Sequence, residues 1–174
     1  MSADAGGGVA ESAPEELAAW ERAAAGGIYA IALPTPFLVG RVNCYLIEDE
    51  PLTLVDTGPN SGTSLDELET GLAALGHRIE DLELIVLTHQ HMDHLGLVEI
   101  LARRSGARVA AWHQLDGYLR HFSVAAAADD AFAMTLMRRH GVPENLAIAL
   151  SVGTAAYRAF GSSGEVEVPL LDGT

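Results

Sequence analysis

Short runs rich in apolar and β-branched residues, with polar positions between them, predict β-strands in the N-terminal third of the chain. Three of these runs, IYAIAL, VNCYLIE and LTLVDTG, follow one another between residues 28 and 58. Turn-forming residues separate them at Pro34-Thr35-Pro36 and at Asp49-Glu50-Pro51. Before the first strand, we expect residues 1–27 to form a flexible tail with a short helix in PEELAAWERAAAGG, which a proline opens and two glycines end.

Leucines three and four residues apart then predict a helix from about Ser64 to Leu75. Ser64 and Glu67 have the spacing of a capping box, and Gly76 can end the helix. A buried strand, a helix and a further strand are expected next, in LELIVLT, LGLVEILARRSG and ARVAAW.

From His113 to about Phe160 the pattern is mostly helical. Asp129 or Asp130 can cap a helix that ends at Gly141, and EVEVPLL predicts a last strand. Strands that alternate with helices and are followed by a helical block indicate the α/β class.

The charged residues of the chain argue against two classes of function, lysine-based catalysis and nucleic-acid binding. The formal net charge is −14 over 174 residues, and all ten basic residues are arginines. The absence of lysine excludes a lysine nucleophile or Schiff base, and so acidic a chain argues against nucleic acid as a partner. Net charge says nothing about patches, so a locally basic cleft stays compatible with this composition.

The single cysteine and the hydropathy of the chain predict a protein of a reducing, aqueous compartment. Cys44 is the single cysteine, so no internal disulfide can form, and its strand-like context favours a small buried residue over a reactive thiol. No apolar run approaches the roughly 20 residues that span a bilayer. The N-terminus lacks the pattern of a secretory signal. We therefore expect a cytoplasmic protein that does not associate with membranes.

The stretch THQHMDHLG carries the candidate chemistry, because it places His89, His91, Asp93 and His94 within six positions directly after a predicted buried strand. Imidazole nitrogens and carboxylate oxygens are good zinc ligands. One continuous helix could not direct all four at one ion, but a strand end that turns into a helix could serve two adjacent ions. Asp93 could instead cap the following helix, and a lone histidine here would be packed or solvated. Four such residues together favour metal binding.

THQHMDHLG resembles the HxHxDH signature of the metallo-β-lactamase superfamily, LVDTGP resembles its earlier strand-end motif, and VNCYLIEDEPLTLVDTG is similar to its opening hairpin. The resemblance runs from about Ile28 to Trp112. A weaker likeness from HGVPEN to VPLLDGT resembles the helical insert of relatives of glyoxalase II and of lactamase-like ribonucleases. The resemblance to the superfamily implies an αββα sandwich. Residues 28–174 would form its N-terminal part, and residues 112–160 the helical insert.

The resemblance also implies a dinuclear metal centre, usually of zinc and sometimes of iron or manganese. His89 and His91 would bind the first ion, and Asp93 and His94 the second. Asp56 and Thr88 would support the histidine loop from behind. Two ions lower the pKa of a bridging water and supply hydroxide, which Asp93 can orient.

The implied function is a hydrolase of small thioesters, lactones or other activated esters. A metal-dependent ribonuclease of the same fold and a non-catalytic metal-binding module are the alternatives. A small-molecule substrate is therefore expected, and we expect the helical block after Gln114, together with C-terminal loops that this chain lacks, to determine which one.

The family needs three further ligands, which are a histidine in a TPGH-like context, a bridging aspartate and a final histidine. This chain lacks them, and VPLLDGT resembles the segment that precedes the first. We therefore expect a fragment that is incomplete as a catalyst by itself. Half a sandwich leaves one sheet face uncovered, which predicts a homo-oligomer or a completing C-terminal segment.

Overall fold

The computed structural model describes residues 14–173, with side chains from residue 18 onward, so the tail expected at residues 1–13 lies outside the described residues. The α-helices are α1 (Pro14–Ala25), α2 (Gly62–Ala74), α3 (Met92–Leu95), α4 (Val98–Ser105), α5 (Leu115–Arg120), α6 (Phe122–Arg139) and α7 (Glu144–Tyr157). The strands are β1 (Ile28–Leu33), β2 (Val42–Ile47), β3 (Thr53–Val55), β4 (Leu84–Leu87), β5 (Arg108–Trp112) and β6 (Val168–Leu170). Short 3₁₀ helices lie at Ile79–Asp81 and Arg158–Phe160.

The six strands form one sheet in the order β1-β2-β3-β4-β5-β6. The first three are antiparallel neighbours, whereas β3 to β6 run parallel to one another. Parallel neighbours need crossover connections, and helices fill each of them. This mixed architecture confirms the predicted α/β class. It also brings the carboxyl ends of β3, β4 and β5 to one edge of the sheet, where ligand sites form in such folds.

One face of the sheet packs against α2 and α4 and forms the core. Leu46 of β2, Leu54 of β3 and Ile85 of β4 point to this face and are completely buried. Leu68 and Leu72, four residues apart on α2, belong to the same buried cluster. Burying each side chain of this size is worth about 1.5–3 kcal/mol. The packing therefore holds the strand ends, and the loops that follow them, in fixed positions.

The opposite face of the sheet is only partly covered. Val55 of β3 and Val86 of β4 are half-buried, and Trp112 at the end of β5 is 43% exposed. Trp20 of α1 stacks on Tyr45 of β2, with 6.1 Å between the ring centroids. Association of this face with a second copy or a completing segment stays a prediction.

The beginning of α2 differs from the predicted capping box. Ser61 is the N-cap, and its Oγ accepts a hydrogen bond from the backbone N–H of Ser64 at 3.1 Å. Ser64 lies inside the helix and is fully buried, while Glu67 pairs with the exposed Arg41. The capping-box prediction was wrong because both serines have cap-like spacing, and only tertiary packing decides which one is buried.

Two helix boundaries in the second half also differ from expectation. Asp129 and Asp130 cap nothing, because α6 runs through them as one helix from Phe122. The alanines at 125–128 are strong helix formers and carry the helix across this point. EVEVPLL yields only the three-residue strand β6. None of the helices between residues 14 and 173 combines the length and hydropathy needed to traverse a bilayer.

The helix predicted from Leu95 to Gly106 is interrupted. Only its first residue, Leu95, belongs to α3, and α4 starts at Val98. The end is as predicted, because Gly106 adopts a left-handed conformation with φ 75° and terminates α4. The interruption falls at Gly96, where the backbones of Asn60 and Phe160 approach closely.

Candidate metal centre

Two loops that follow neighbouring parallel strands meet at one edge of the sheet. Asp56 directly follows β3 and Thr88 directly follows β4, and these two strands pair in parallel. The predicted ligands come next, on the loop after β4 and on the short helix α3. They are His89, His91, Asp93 and His94. The fold thus brings together all six residues that the sequence singled out.

Asp56 connects the two loops. It has a left-handed backbone with φ 60°, which costs a non-glycine residue about 1 kcal/mol or more, and it is 4% exposed. Its Oδ1 accepts hydrogen bonds from Thr88 N at 2.9 Å and from Thr88 Oγ1 at 3.0 Å. Its Oδ2 accepts from Thr88 Oγ1 at 2.8 Å and from His94 Nδ1 at 2.8 Å. A single buried carboxylate therefore fixes both the start of the histidine loop and its last imidazole.

The same contacts determine where two imidazoles carry their protons. A carboxylate can only accept, so the one hydroxyl proton of Thr88 goes to Asp56. The Thr88 oxygen must then accept from His89 Nδ1, 2.9 Å away. His94 likewise donates from Nδ1 to Asp56. In the neutral form both rings therefore keep a free lone pair on Nε2, the nitrogen that faces the other candidate ligands.

The remaining donor atoms converge in two pairs. His89 Nε2 lies 3.0 Å from His91 Nδ1, and His94 Nε2 lies 3.6 Å from Asp93 Oδ2. Two atoms that bind one tetrahedral zinc ion at about 2.0–2.2 Å lie about 3.4 Å apart. Both observed separations are close to that value, so each pair fits one ion. Among residues 14–173, no three His, Cys, Asp or Glu side chains are grouped closely enough to bind a single ion.

The rings of the cluster shift one another's protonation. Burial lowers the pKa of His89, and the neighbouring His94 and His91 lower it further. The hydrogen bond that His94 donates to Asp56 raises the pKa of His94 against the opposing effect of burial. The two rings lie close together, with 4.2 Å between their centroids. The lowered pKa of His89 and the raised pKa of His94 mean that His94 holds a proton more strongly than His89 does.

Two positions that our sequence reasoning did not single out hold the loop in place. Thr57 donates to the carbonyl oxygen of His94 from its backbone N, at 2.8 Å, and from its Oγ1, at 3.0 Å. A Cβ on Gly96 would lie 2.2 Å from Asn60 N and 2.3 Å from Phe160 O, so only glycine fits there. Both residues belong to the motifs LVDTGP and THQHMDHLG, which is the signal that could have identified them.

A cavity of about 330 Å³ opens beside the first donor pair. It is lined by His89, Gln90, Trp112, Leu115 and Tyr118, among others. A larger cleft of about 860 Å³ runs along β1, and no predicted site residue of the described chain lines it. The smaller cavity is therefore the one that could receive a ligand of the centre.

The other histidines stay outside the cluster. His77 bonds Glu48 through its Nε2 at 2.7 Å, and His113 lies against Trp112, with 4.7 Å between the ring centroids. His140 is exposed at the end of α6. None of these three takes part in the donor pairs described above.

Comparisons with known proteins relate this chain to a family of metal-dependent hydrolases. Residues 38–169 match the family described as the metallo-beta-lactamase superfamily. YqjP of Bacillus subtilis (strain 168), a probable metallo-hydrolase, is 44% identical over 75 residues, which are 43% of this chain and 24% of that protein. A UPF0173 metal-dependent hydrolase of Thermococcus onnurineus (strain NA1) is 39% identical over 57 residues, 32% of this chain and 25% of that protein.

A solved structure resembles the whole described fold. Metallo-beta-lactamase family protein TTHA1429 from Thermus thermophilus aligns with a TM-score of 0.65 and 30% identity, over 85% of this chain and 47% of that chain. The resemblance and the fold predicted from the sequence are thereby confirmed. The chain spans about a quarter of the length of the two curated relatives and about half of the solved chain.

Proposed function

Since this chain belongs to the metallo-beta-lactamase superfamily, we propose that it acts as a metal-dependent hydrolase of a small thioester, lactone or other activated ester. The observation that carries the proposal is the convergence of donor atoms in two pairs, at 3.0 and 3.6 Å. In each pair, an imidazole whose Nδ1 proton is held by a hydrogen bond turns its Nε2 toward a second candidate ligand, which is the usual arrangement of metal-ligating histidines.

The proposed ligands follow from these pairs. His89 Nε2 and His91 Nδ1 would hold one divalent ion, and His94 Nε2 and Asp93 Oδ2 a second. Imidazole and carboxylate donors suit zinc best, with iron or manganese as alternatives. Catalytic zinc sites usually have three protein ligands. The remaining ligands of each ion would therefore come from outside residues 14–173, on a completing segment or a second copy.

The protein's part in the reaction is mainly orientation. Bound divalent ions would polarise the scissile carbonyl and make a water nucleophilic at neutral pH. Asp93, whose side chain is 17% exposed, can orient that water and accept its proton. Asp56 keeps the proton of His94 on Nδ1 and, through Thr88, that of His89 on the same atom. The carboxylate thereby preserves the lone pairs that the ions require.

An ester fits this surface better than a phosphodiester. The net charge of −14 repels a polyanionic backbone. The relatives are named only as hydrolases, so the ester class rests on charge and on the site rather than on their names.

The test is turnover by the zinc-loaded protein, with the segment or second copy that supplies the remaining ligands present, on a panel of thioesters, lactones and aryl esters. Asp93→Ala should lower turnover by about 100-fold or more while the circular dichroism spectrum and the urea midpoint stay unchanged. Asp66→Ala, which removes an exposed carboxylate from α2, is the matched control and should be fully active.

Two other outcomes would reject the proposal. Cleavage of RNA without ester turnover would indicate a ribonuclease of the same fold. Zinc uptake without any turnover, when the remaining ligands are supplied, would indicate a non-catalytic metal-binding module.

A further inference from the structure

The cavity beside His89 is built from three elements. Trp112 ends β5, Leu115 opens α5, and Tyr118 follows one helical turn later on the same face of α5. His89 and Gln90, from the loop after β4, complete the lining. Since β4 and β5 are parallel neighbours, these groups meet at the edge of the sheet that holds the candidate ligands.

The lining exposes mostly apolar surface, with the polar side chains of Thr88, His89, Gln90 and Gln114 at its borders, and carries no acidic or guanidinium group. Among the described residues that line the cavity, none is Arg, Asp or Glu. Leu115 is 8% exposed and forms a fixed wall, whereas Trp112 is 43% exposed and offers a free aromatic surface. Burial and the nearby Asp129 raise the pKa of Tyr118 to about 12, so its phenol is neutral at physiological pH.

We propose that this cavity binds a neutral apolar group of the substrate, an aliphatic chain or an aromatic ring, next to the reacting carbonyl. The inference rests on the proposed function, because it assigns a substituent of the ester substrate to the space beside His89. The volume of about 330 Å³ is at the lower end for pockets that enclose a whole small ligand, so the cavity suits one substituent.

The absence of charged side chains from the lining argues against an anionic substrate group in the cavity beside His89. The side chains of the lining include no cation that could pair with a carboxylate or phosphate after it has lost its hydration there. The exposed amides of Gln90 and Gln114 can bond polar atoms near the mouth without adding charge. The substrate should therefore be an ester or thioester whose substituent beside the metal centre is uncharged.

A fluorescence experiment tests binding independently of turnover. Trp20→Phe leaves Trp112 as the only tryptophan of the 174 residues, so its emission reports on the cavity. Benzamide and benzoate carry the same ring and differ in charge. We expect benzamide to shift the emission of Trp112 and benzoate to bind about tenfold more weakly or not at all.

Two variants and a control locate the binding. Leu115→Phe fills the cavity and should weaken benzamide binding about tenfold. If that buried substitution unfolds the protein, Gln114→Phe at an exposed lining position serves the same purpose. Leu146→Phe on α7 replaces an exposed leucine outside the cavity lining and should change nothing. Equal affinity for benzoate and benzamide, or affinity unchanged in the folded cavity variants, would overturn the inference.

Ester kinetics separate this inference from the function on which it rests. The ratio of kcat/KM for p-nitrophenyl hexanoate over p-nitrophenyl acetate should fall about tenfold in the cavity variants. An active protein with an unchanged ratio refutes the substituent pocket alone. A protein that binds benzamide but hydrolyses no ester refutes the proposed function and leaves the cavity a neutral binding site.

Discussion

Replacing Asp56 by asparagine should invert the proton arrangement of the candidate centre without removing any candidate ligand. The backbone N–H of Thr88 needs an acceptor 2.9 Å away at the position of Oδ1, so the amide oxygen must stay there. The amide nitrogen then takes the position of Oδ2, 2.8 Å from His94 Nδ1. Since this group only donates, His94 must accept at Nδ1 and carry its proton on Nε2. The nitrogen proposed to bind the second ion then has no free lone pair.

The expected magnitudes follow from the same contacts. A hydrogen bond to a charged group is worth about 1.5–3 kcal/mol and a neutral one about 0.5–1.5 kcal/mol. Thr88 can redirect its hydroxyl to the remaining oxygen at 3.0 Å, so the variant keeps the bonds to Thr88 N, Thr88 Oγ1 and His94 but changes all three from charge-assisted to neutral. We therefore expect a loss of about 3 kcal/mol in the free energy of unfolding, roughly 1 kcal/mol for each bond. Zinc affinity should fall as well, by about 10- to 100-fold, as is usual when the partner of a ligating histidine is lost.

Three measurements check this prediction. Urea unfolding gives the stability, competition with a chromophoric chelator gives the zinc affinity, and nitrogen NMR of the imidazoles gives the tautomer of His94. Asp66→Asn removes the same charge from an exposed position on α2 and serves as the control. The reasoning is refuted if the Asp56→Asn protein is folded, binds zinc as tightly as the unsubstituted protein, and keeps its proton on Nδ1.

Three further predictions concern the ligand loop, the packing beneath it and the thiol. In the protein with its remaining ligands supplied, His89→Ala should abolish ester turnover with little change in the urea midpoint, whereas His140→Ala, at an exposed helix end, should retain full activity. Near-normal turnover in the first variant would contradict the proposed ligand. Gly96→Ala should cost about 3 kcal/mol in urea unfolding, because its Cβ would meet backbone atoms at 2.2–2.6 Å. Gly117→Ala faces open space inside a helix and should stabilise by up to about 1 kcal/mol; similar effects of the two substitutions would show that the close approach does not matter. Burial and the charge of Asp56 raise the pKa of Cys44. The thiol of the native protein should therefore resist Ellman's reagent at pH 8 and react fully in guanidinium chloride. Rapid labelling of the native protein would disprove the burial of Cys44.

The candidate ligands could be predicted from the sequence because they are neighbours in it. His89, His91, Asp93 and His94 lie within six positions, so any turn after β4 keeps them close. Asp56 was predictable only as part of a motif, since its bonds to Thr88 cross 32 residues of chain. Strands and helices whose ends carry glycine or proline were also placed within a few residues.

The features that could not be predicted depend on packing between distant segments. Nothing in the spacing of Ser61 and Ser64 tells which one is buried and which one caps the helix. Likewise, Trp112, Leu115 and Tyr118 show no pattern typical of a binding site. They line one cavity only because β5 lies beside β4 and α5 turns back over the strand ends.

The close approach at Gly96 has a consequence for how such a protein can change. The backbone N–H of Asn60 donates to the carbonyl oxygen of Phe160 at 2.7 Å, directly against Gly96. The segment between β5 and this point forms a wall of the cavity, yet it returns to the base of the histidine loop. The residues inside this segment can therefore vary and reshape the cavity, while the contact of Phe160 with Asn60 and Gly96 keeps the histidine loop in its position.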